Sequence, residues 1–254
     1  MFQNKTVFIT GGGSGIGLLS GKCFAKEGAN VALVDINQAA LDAAVAEITA
    51  AGGKAIGIKT DVTKYEEVVA AKDRVVEEFG SIDIVLPCAG GAEARMLNDH
   101  TEWKDQDISV FEFGIDLNLK GAVYAAKAGL QQMAKQKSGV IIFLGSITGV
   151  EGSEHSVAYA AAKSALMNGV TKSLAQYGAQ YNVRVTYVAP GPVMTREAMA
   201  KMATLMGRAA ETQEIVDMIM YLASDKAAFI TGSGLLMDGG RNVMPKKGYE
   251  ELKK

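Results

Sequence analysis

The chain is predicted to fold as an α/β domain, with a mostly parallel sheet covered by helices on both faces. Three observations carry that prediction. Short β-branched runs alternate with longer stretches of helical spacing along all 254 residues, the pattern of βαβ units. The apolar runs are nearly continuous, as expected of strands buried on both faces. The 29 glycines, against four prolines, fall at the ends of those runs, where turns and close backbone approaches need them.

In chain order, seven strands are expected at Lys5–Thr10, Asn30–Asp35, Lys54–Lys59, Ile82–Leu86, Val140–Gly145, Val183–Val188 and Gly234–Met237. Helical spacing lies between them at Gly15–Glu27, Gln38–Ala51, Lys64–Phe79, Ser109–Lys135, Ser156–Gln180 and Gln213–Ser224. The third helix is expected to open with a capping box, Thr63-x-x-Glu66, that satisfies orphan amide groups. Two segments stand outside the alternation. Gly91–Asp107 is polar and follows the fourth strand, where open α/β sheets bind ligands, so it is a candidate substrate loop. Arg241–Lys254 is a charged tail.

The length suits one domain over residues 1–254, with ample material for a buried core. Lys and Arg number 26 against 28 Asp and Glu, a net charge of −2. That near-neutral, interspersed balance argues against nucleic acid as a partner. With 48% hydrophobic and 21% charged residues, disorder is equally disfavoured. Cys23 and Cys88 have no metal-ligand spacing, no metal site is expected, and a reducing compartment follows. No export signal or membrane span is legible, so the expectation is a soluble cytoplasmic protein.

Strand one ends in Thr-Gly-Gly-Gly-Ser-Gly-Ile-Gly, Thr10 to Gly17, where a helix begins. Glycines there permit a tight turn and let bare backbone approach a pyrophosphate, whose charge meets the helix N-terminus. Gly11, Ser14, Gly15, Ile16 and Gly17 are the candidate contacts. Asp35 ends the next strand, 24 positions after Gly11, near the spacing at which a carboxylate accepts hydrogen bonds from an adenosine ribose. A carboxylate there would repel a 2′-phosphate, and neither Ile36, Asn37 nor Gly13 offers a compensating cation. NAD is therefore expected over NADP. Asp61, with Val62, follows the third strand and is expected to contact adenine; capping near Thr63 is the alternative reading of Asp61.

Further along lie Ser146 and then Tyr159-Ala-Ala-Ala-Lys163. Positions i and i+4 share a helix face, so the phenol and the ammonium project to one side. A free tyrosine titrates near ~10, and a neighbouring ammonium stabilises the phenolate a general base needs. Ser146 ends a buried strand, where its hydroxyl can hold a carbonyl or alkoxide oxygen.

Taken together, these residues resemble the short-chain dehydrogenase/reductase family over nearly the full length. The glycine-rich loop matches, as do Asn118 in Asp-Leu-Asn-Leu-Lys-Gly, Ser146, Tyr159, Lys163 and the segment Pro190-Gly191-Pro192-Val193-Met194-Thr195. The resemblance implies a Rossmann-type doubly wound sheet and hydride exchange between NAD and a secondary alcohol or ketone. In it Tyr159 would be the general acid/base, and Lys163 would assist it and bind the nicotinamide ribose. Ser146 would polarise the substrate oxygen, and Asn118 would hold a relay water. Pro190, Gly191, Val193 and Thr195 would hold the carboxamide. One departure concerns the run after strand four. The family reads Asn-Asn-Ala-Gly; this chain reads Pro87-Cys88-Ala89-Gly90. Ala89 and Gly90 keep the backbone packing against the cofactor, while two bracing amides and a ladder donor are lost. Cys88 reads as a buried small hydrophobe.

For the substrate, Glu93, Glu154 and His155 are candidate contacts, with Arg95 and His100 beside them, forming a polar mouth suited to a polyol, sugar or hydroxy acid. Met194, Met199, Met202 and Met206 follow the carboxamide segment and would suit an adaptable apolar wall, which keeps a hydroxysteroid open. A 3-oxoacyl reductase and a non-catalytic NAD sensor are weaker alternatives. The resemblance implies a homotetramer, and Ala158, Ala161, Ala162 and Ala165 would allow close helix approach between subunits. The charged tail could reach a neighbouring active site.

Overall fold

A computed structural model describes residues 1–244 of the chain. Seven strands form one parallel sheet: β1 Thr6–Thr10, β2 Asn30–Asp35, β3 Lys54–Lys59, β4 Ile84–Pro87, β5 Gly139–Leu144, β6 Val183–Pro190 and β7 Gly234–Met237. Their spatial order is β3-β2-β1-β4-β5-β6-β7, so the order reverses between β1 and β4. That reversal opens a crevice at the strand C-termini, the place where doubly wound sheets hold ligands.

The helices are α1 Gly15–Lys26, α2 Gln38–Ala50, α3 Tyr65–Phe79, α4 Glu93–Met96, α5 Ile108–Ile115, α6 Gly121–Gln136, α7 Thr148–Glu151, α8 Val157–Ala165, α9 Thr171–Ala179 and α10 Thr212–Ala223. Strand pleat divides the core between the two sheet faces. Val7, Ile9, Val31, Leu33, Ile84, Leu86, Val140 and Ile142 face one way, against Phe24 of α1, Leu41 and Ile48 of α2, and Ile215, Ile219 and Leu222 of α10. Phe8, Ala32, Val34, Val85, Ile141 and Phe143 face the other, against Val68 and Val75 of α3, Met133 of α6 and Ala175 of α9. No helix among the described residues is long and apolar enough to cross a membrane.

The strands at Asn30–Asp35, Lys54–Lys59 and Gly234–Met237 match the sequence expectation to the residue. The two long helices do not run continuously. Each is interrupted by a π-turn, at Asp116–Lys120 and at Leu166–Val170. One extra residue per turn rotates the following segment and leaves no mark in composition. The expected capping box at Thr63 and Glu66 is also absent. The helix starts at Tyr65, and Thr63 instead donates its amide (3.0 Å) and hydroxyl (2.7 Å) to Asp61 Oδ1, an Asx-turn. Glu67 closes the unit by accepting from the Asp61 amide at 2.8 Å.

Pro87 is buried at the end of β4. The ladder from β4 to β5 registers Ile84 with Val140 and Val85 with Ile141 and stops before Pro87, which has no N–H to extend it. The alanines expected at a subunit interface are partly spent inside the chain. Ala158 and Ala162 are fully buried, and α5 crosses α8 so closely that a Cβ on Gly114 would lie 2.5 Å from that of Ala158. Most of the charged tail, residues 245–254, lies outside the described residues, and with it the reach toward a neighbouring active site.

Candidate active site

A cavity of about 1090 Å³ runs along the C-terminal edge of the sheet across the β1/β4 reversal. Its floor at one end is the turn between β1 and α1. Gly11 and Gly15 sit at φ +67° and +53°, which favours glycine. A Cβ on Gly11 would lie 2.6 Å from the Ala89 nitrogen, and one on Gly17 would collide with the Gly11 carbonyl oxygen. The turn can close only on bare backbone. α1 then presents its N-terminus with no acidic residue in its first turn, and the Ser14 side chain makes no capping bond. The positive helix end and a free hydroxyl both face the cavity, a setting for a phosphate.

Asp35 is half-buried and fixed by its surroundings. Oδ2 accepts from the Gly13 amide and Oδ1 from the Asn37 amide, each at 3.0 Å. Each carboxylate oxygen keeps a lone pair, so the pair can still accept from two adjacent hydroxyls. Asp61 and Val62 stand opposite on the same wall. Burial of Asp61 opposes its charge, but the Thr63 hydroxyl and amide, with the Lys64 ammonium, outweigh it and hold the carboxyl below its usual value. Asp61 accepts from Thr63 through Oδ1 in a local turn, without capping the helix itself, and it also lines the cavity. Ala89 and Gly90 complete this end.

Cys88, directly after β4, packs partly buried against the apolar core, and burial pushes its thiol up to about 12 against the Lys163 charge. It is half-buried rather than fully buried as expected, with one side on the core and the residue on the cavity wall.

At the other end, Ser146 follows β5 and Tyr159 sits in α8, both on the cavity wall. The Ser146 oxygen accepts from the Thr148 amide at 3.1 Å, which leaves its hydroxyl proton free to donate outward. Lys163 is buried one turn below Tyr159, with Nζ 5.4 Å from the phenol ring centroid. Nζ also donates to the Leu144 carbonyl at 2.7 Å, and two of its three protons are left for other acceptors. Asn118 lies in the first π-turn, fully buried. Oδ1 accepts from the Gly91 amide, and Nδ2 donates to the Gly91 and Gly114 carbonyls, all at 2.9 Å. Its amide protons are therefore spent on bracing the loop after β4. A water held by this side chain would use the second lone pair of Oδ1.

Pro190, Gly191, Val193 and Thr195 line the cavity beside these groups. The segment is held by Gly191 N–H to the Met237 carbonyl (2.9 Å) and by Met194 N–H to the Ala210 carbonyl (2.8 Å). Met199 and Met202 reach the wall, whereas Met206 is largely exposed.

The three expected substrate contacts lie elsewhere. Glu93 is 1% exposed, and its carboxylate accepts from the Ala158 amide at 2.9 Å and the Tyr159 amide at 3.1 Å. It caps the helix that carries Tyr159, with charge matched to the helix N-terminus, and does not line the cavity. Its partners stand 65 and 66 residues away, so only the topology reveals the role. Glu154 and His155 are more than four-fifths exposed and pair with each other at 3.3 Å, off the wall. Two side chains that do reach it are Arg95, expected in the polar mouth, and Arg196, which was not expected there. The position of Arg196 directly after the Val193–Thr195 match was the available signal.

Residues 5–205 match the family model described as short chain dehydrogenase. The chain is 34% identical over 249 residues to a cis-4-hydroxycyclohexanecarboxylate dehydrogenase of Sinomonas cyclohexanicum, covering 94% of this chain and 97% of that one. It is also 34% identical over 251 residues to a cyclopentanol dehydrogenase of Comamonas, with the same shares covered. The crystal structure of an NAD+-bound xylitol dehydrogenase superimposes with a TM-score of 0.86 at 30% identity, over 94% of this chain and 99% of that one. With its parallel seven-stranded sheet and these relatives, the chain belongs to the short-chain dehydrogenase family.

Proposed function

We propose that this protein is an NAD-preferring oxidoreductase that interconverts a secondary alcohol and a ketone, with a polyol, sugar or hydroxy acid as substrate. The observation that carries the proposal is one cavity, lined at one end by a glycine-rich turn and a braced Asp35 and at the other by Ser146 and Tyr159. The residues fit a dinucleotide. Gly11 and Gly17 leave room only for backbone, Asp35 keeps lone pairs for ribose hydroxyls, and its charge disfavours a 2′-phosphate. The NAD+-bound relative supports the same choice. Ser14, Gly15 and Ile16 would hold the pyrophosphate, Asp61, Val62, Ala89 and Gly90 the adenosine half, and Pro190, Gly191, Val193 and Thr195 the carboxamide.

When bound, the nicotinamide supplies the acceptor or donor of hydride. The chain supplies the proton chemistry and the alignment. In oxidation the Tyr159 oxygen takes the proton of the substrate hydroxyl; in reduction it returns a proton to the forming alcohol. The Ser146 hydroxyl donates to the same substrate oxygen and fixes its direction. Lys163, anchored on Leu144, stabilises negative charge on the phenol and holds ribose hydroxyls with its remaining protons. Asn118 keeps the Gly91 turn in register and offers its last lone pair to a water that links Lys163 to solvent.

The alcohol named for the Sinomonas relative carries a carboxylate, and that named for the Comamonas relative is a ring alcohol. Both are secondary alcohols, but only the first is a hydroxy acid; the second belongs with the alicyclic alcohols. Met199 and Met202 on the wall favour a second reading, a hydroxysteroid or other bulky alicyclic alcohol. We place the enzyme in the cytoplasm as a homotetramer. Two free thiols suit a reducing compartment. Edge strand β7 exposes Leu235 and Leu236 beside a fully exposed Phe229, an apolar edge that a second subunit would cover.

The test follows nicotinamide absorbance with NAD and NADP across polyols, sugars, hydroxy acids including 4-hydroxycyclohexanecarboxylate, cyclic alcohols and hydroxysteroids, beside Tyr159→Phe. Tyr159-dependent turnover of one class with NAD is the expected result. Tight NADH binding with silence across the panel would favour the sensor.

A further inference from the structure

The substrate end of the cavity holds two positive charges that no described carboxylate neutralises. Arg95 belongs to α4, which the chain forms directly after the Gly91 turn; Arg196 follows Thr195. Both line the cavity with Ser146 and Tyr159. The Arg95 guanidinium folds back over Gly91, into the space a side chain there would need. Arg196 has one weak polar contact, from Nη2 to Met199 Sδ at 3.8 Å. Neither arginine takes part in an ion pair among the described residues.

The acids of the wall are accounted for. Asp35 and Asp61 lie at the adenosine end, and Asp116 is paired with Lys120 at 2.6 Å. Glu112, on α5, pairs with neither arginine. The Arg196 guanidinium is partly desolvated and feels the charge of Arg95, both of which disfavour its protonated form, while Tyr159 acts in the opposite sense. Arg95, Arg196 and Tyr159 therefore share one neighbourhood. Like charges gathered in a partly dry cleft are unfavourable until an anion lies between them. The planar fork of arginine matches a carboxylate with two parallel hydrogen bonds.

We infer that Arg95 and Arg196 form a clamp for a carboxylate on the substrate, which makes the substrate a hydroxy acid whose carbinol faces Tyr159 and Ser146. The inference rests on the dehydrogenase reading above and narrows it to one substrate class. It also gives a reason for the arginines to stay unpaired: an internal carboxylate would occupy the place of the ligand. Met199, in contact with Arg196, would cover the apolar body between the two polar ends.

The test measures binding without turnover. The full chain, saturated with NADH, is titrated by calorimetry with cyclohexanecarboxylate and with cyclohexanecarboxamide, its neutral counterpart. The acid is expected to bind about 10- to 100-fold tighter than the amide, as charge-assisted hydrogen bonds imply. Arg95→Gln and Arg196→Gln should each reduce that preference by about tenfold, and Arg196→Lys should restore part of it. Equal affinity for acid and amide, or binding of neither, overturns the clamp. So does an Arg196→Gln variant that loses NADH affinity and keeps the preference, since the arginine would then serve the cofactor's phosphates. Tyr159-dependent turnover of neutral alcohols with no acid preference would remove the clamp and leave the dehydrogenase. A strong acid preference with a panel silent for every alcohol would remove the dehydrogenase and leave an anion-binding cleft.

Discussion

The two ends of the cleft are built from different materials. At the end proposed for the adenosine the groups on offer are mostly backbone, the glycine-rich turn from Gly11 to Gly17 and the first amides of α1, with one side-chain carboxylate, Asp35, pinned by the Gly13 and Asn37 amides. At the substrate end they are side chains on short or irregular segments: Arg95 on the four-residue α4, Arg196 in extended backbone, and Met199 and Met202 around a short 3₁₀ turn. Tyr159 and Ser146 stand between, on elements anchored in the sheet. A backbone site tolerates little variation, because its shape is the shape of the chain. A site of long side chains can be re-aimed without disturbing the fold. One end can thus stay constant for a shared cofactor while the other selects the alcohol.

If that contrast holds, damage to the backbone end should be the more severe. Gly17→Ala places a Cβ against the Gly11 carbonyl oxygen, and the turn must open. NADH affinity should fall by about 100-fold or more, two decades on the free-energy scale of binding, and turnover with it. Fluorescence titration checks this, and an affinity within threefold of wild type would show that the turn is adaptable after all.

Glu93 tests the support beneath the middle of the cleft. Glu93→Ala leaves the Ala158 and Tyr159 amides unpaired in a buried position, a loss of about 2–4 kcal/mol. A melting temperature lower by roughly 5–15 °C is expected for a chain of this size. Glu93→Gln retains an acceptor oxygen and should recover a substantial part of the loss. A melting point unchanged in Glu93→Ala would mean that the helix is held without its cap.

Asp35→Ala should weaken NADH by about tenfold, the worth of a charged hydrogen-bonded partner, and narrow its advantage over NADPH. If paired titrations find the preference unchanged, selectivity resides outside this carboxylate.

The smallest effect is expected at Cys88. Its thiol lies on the cavity wall, but burial raises it to about 12, so the nucleophilic thiolate is scarce near neutrality. Iodoacetamide at pH 7–8 should leave turnover within about twofold. Labelling should quicken as the pH climbs toward 12, because the raised value favours the neutral thiol below it. Rapid labelling of Cys88 at pH 7, followed by peptide mass spectrometry in a Cys23→Ser background, would contradict this picture.

The same division decides what could be read before the structure. The strands were legible because continuous apolar runs end in glycine, and β2, β3 and β7 fell on the expected residues. The glycine-rich turn and the Tyr159–Lys163 pair are local in sequence, so spacing alone could point to them; the turn and Tyr159 line one cavity, with Lys163 buried beside the Tyr159 ring. What escaped depends on distant partners. Glu93, expected as a substrate contact, instead accepts from the Ala158 and Tyr159 amides across the fold. Asn118 was singled out by its motif, but its bonds to Gly91, 27 residues away, were not legible there. Thr63 found Asp61 before it found a helix to cap. The pairing of Arg95 with Arg196 spans two loops and has no sequence period, so nothing short of the packed cleft reveals it.

The central claim, that the middle of this cleft carries out proton transfer while the backbone end only holds the cofactor, is most directly tested with Tyr159→Phe. Turnover and NADH affinity would be measured on the same samples, with the alcohol that wild type oxidises best. Removing a positioned acid/base should lower turnover by about 100-fold or more and leave NADH affinity within about twofold, since the ring stays in place. Turnover above a hundredth of wild type would contradict the role assigned to Tyr159 and move the chemistry elsewhere in the cleft.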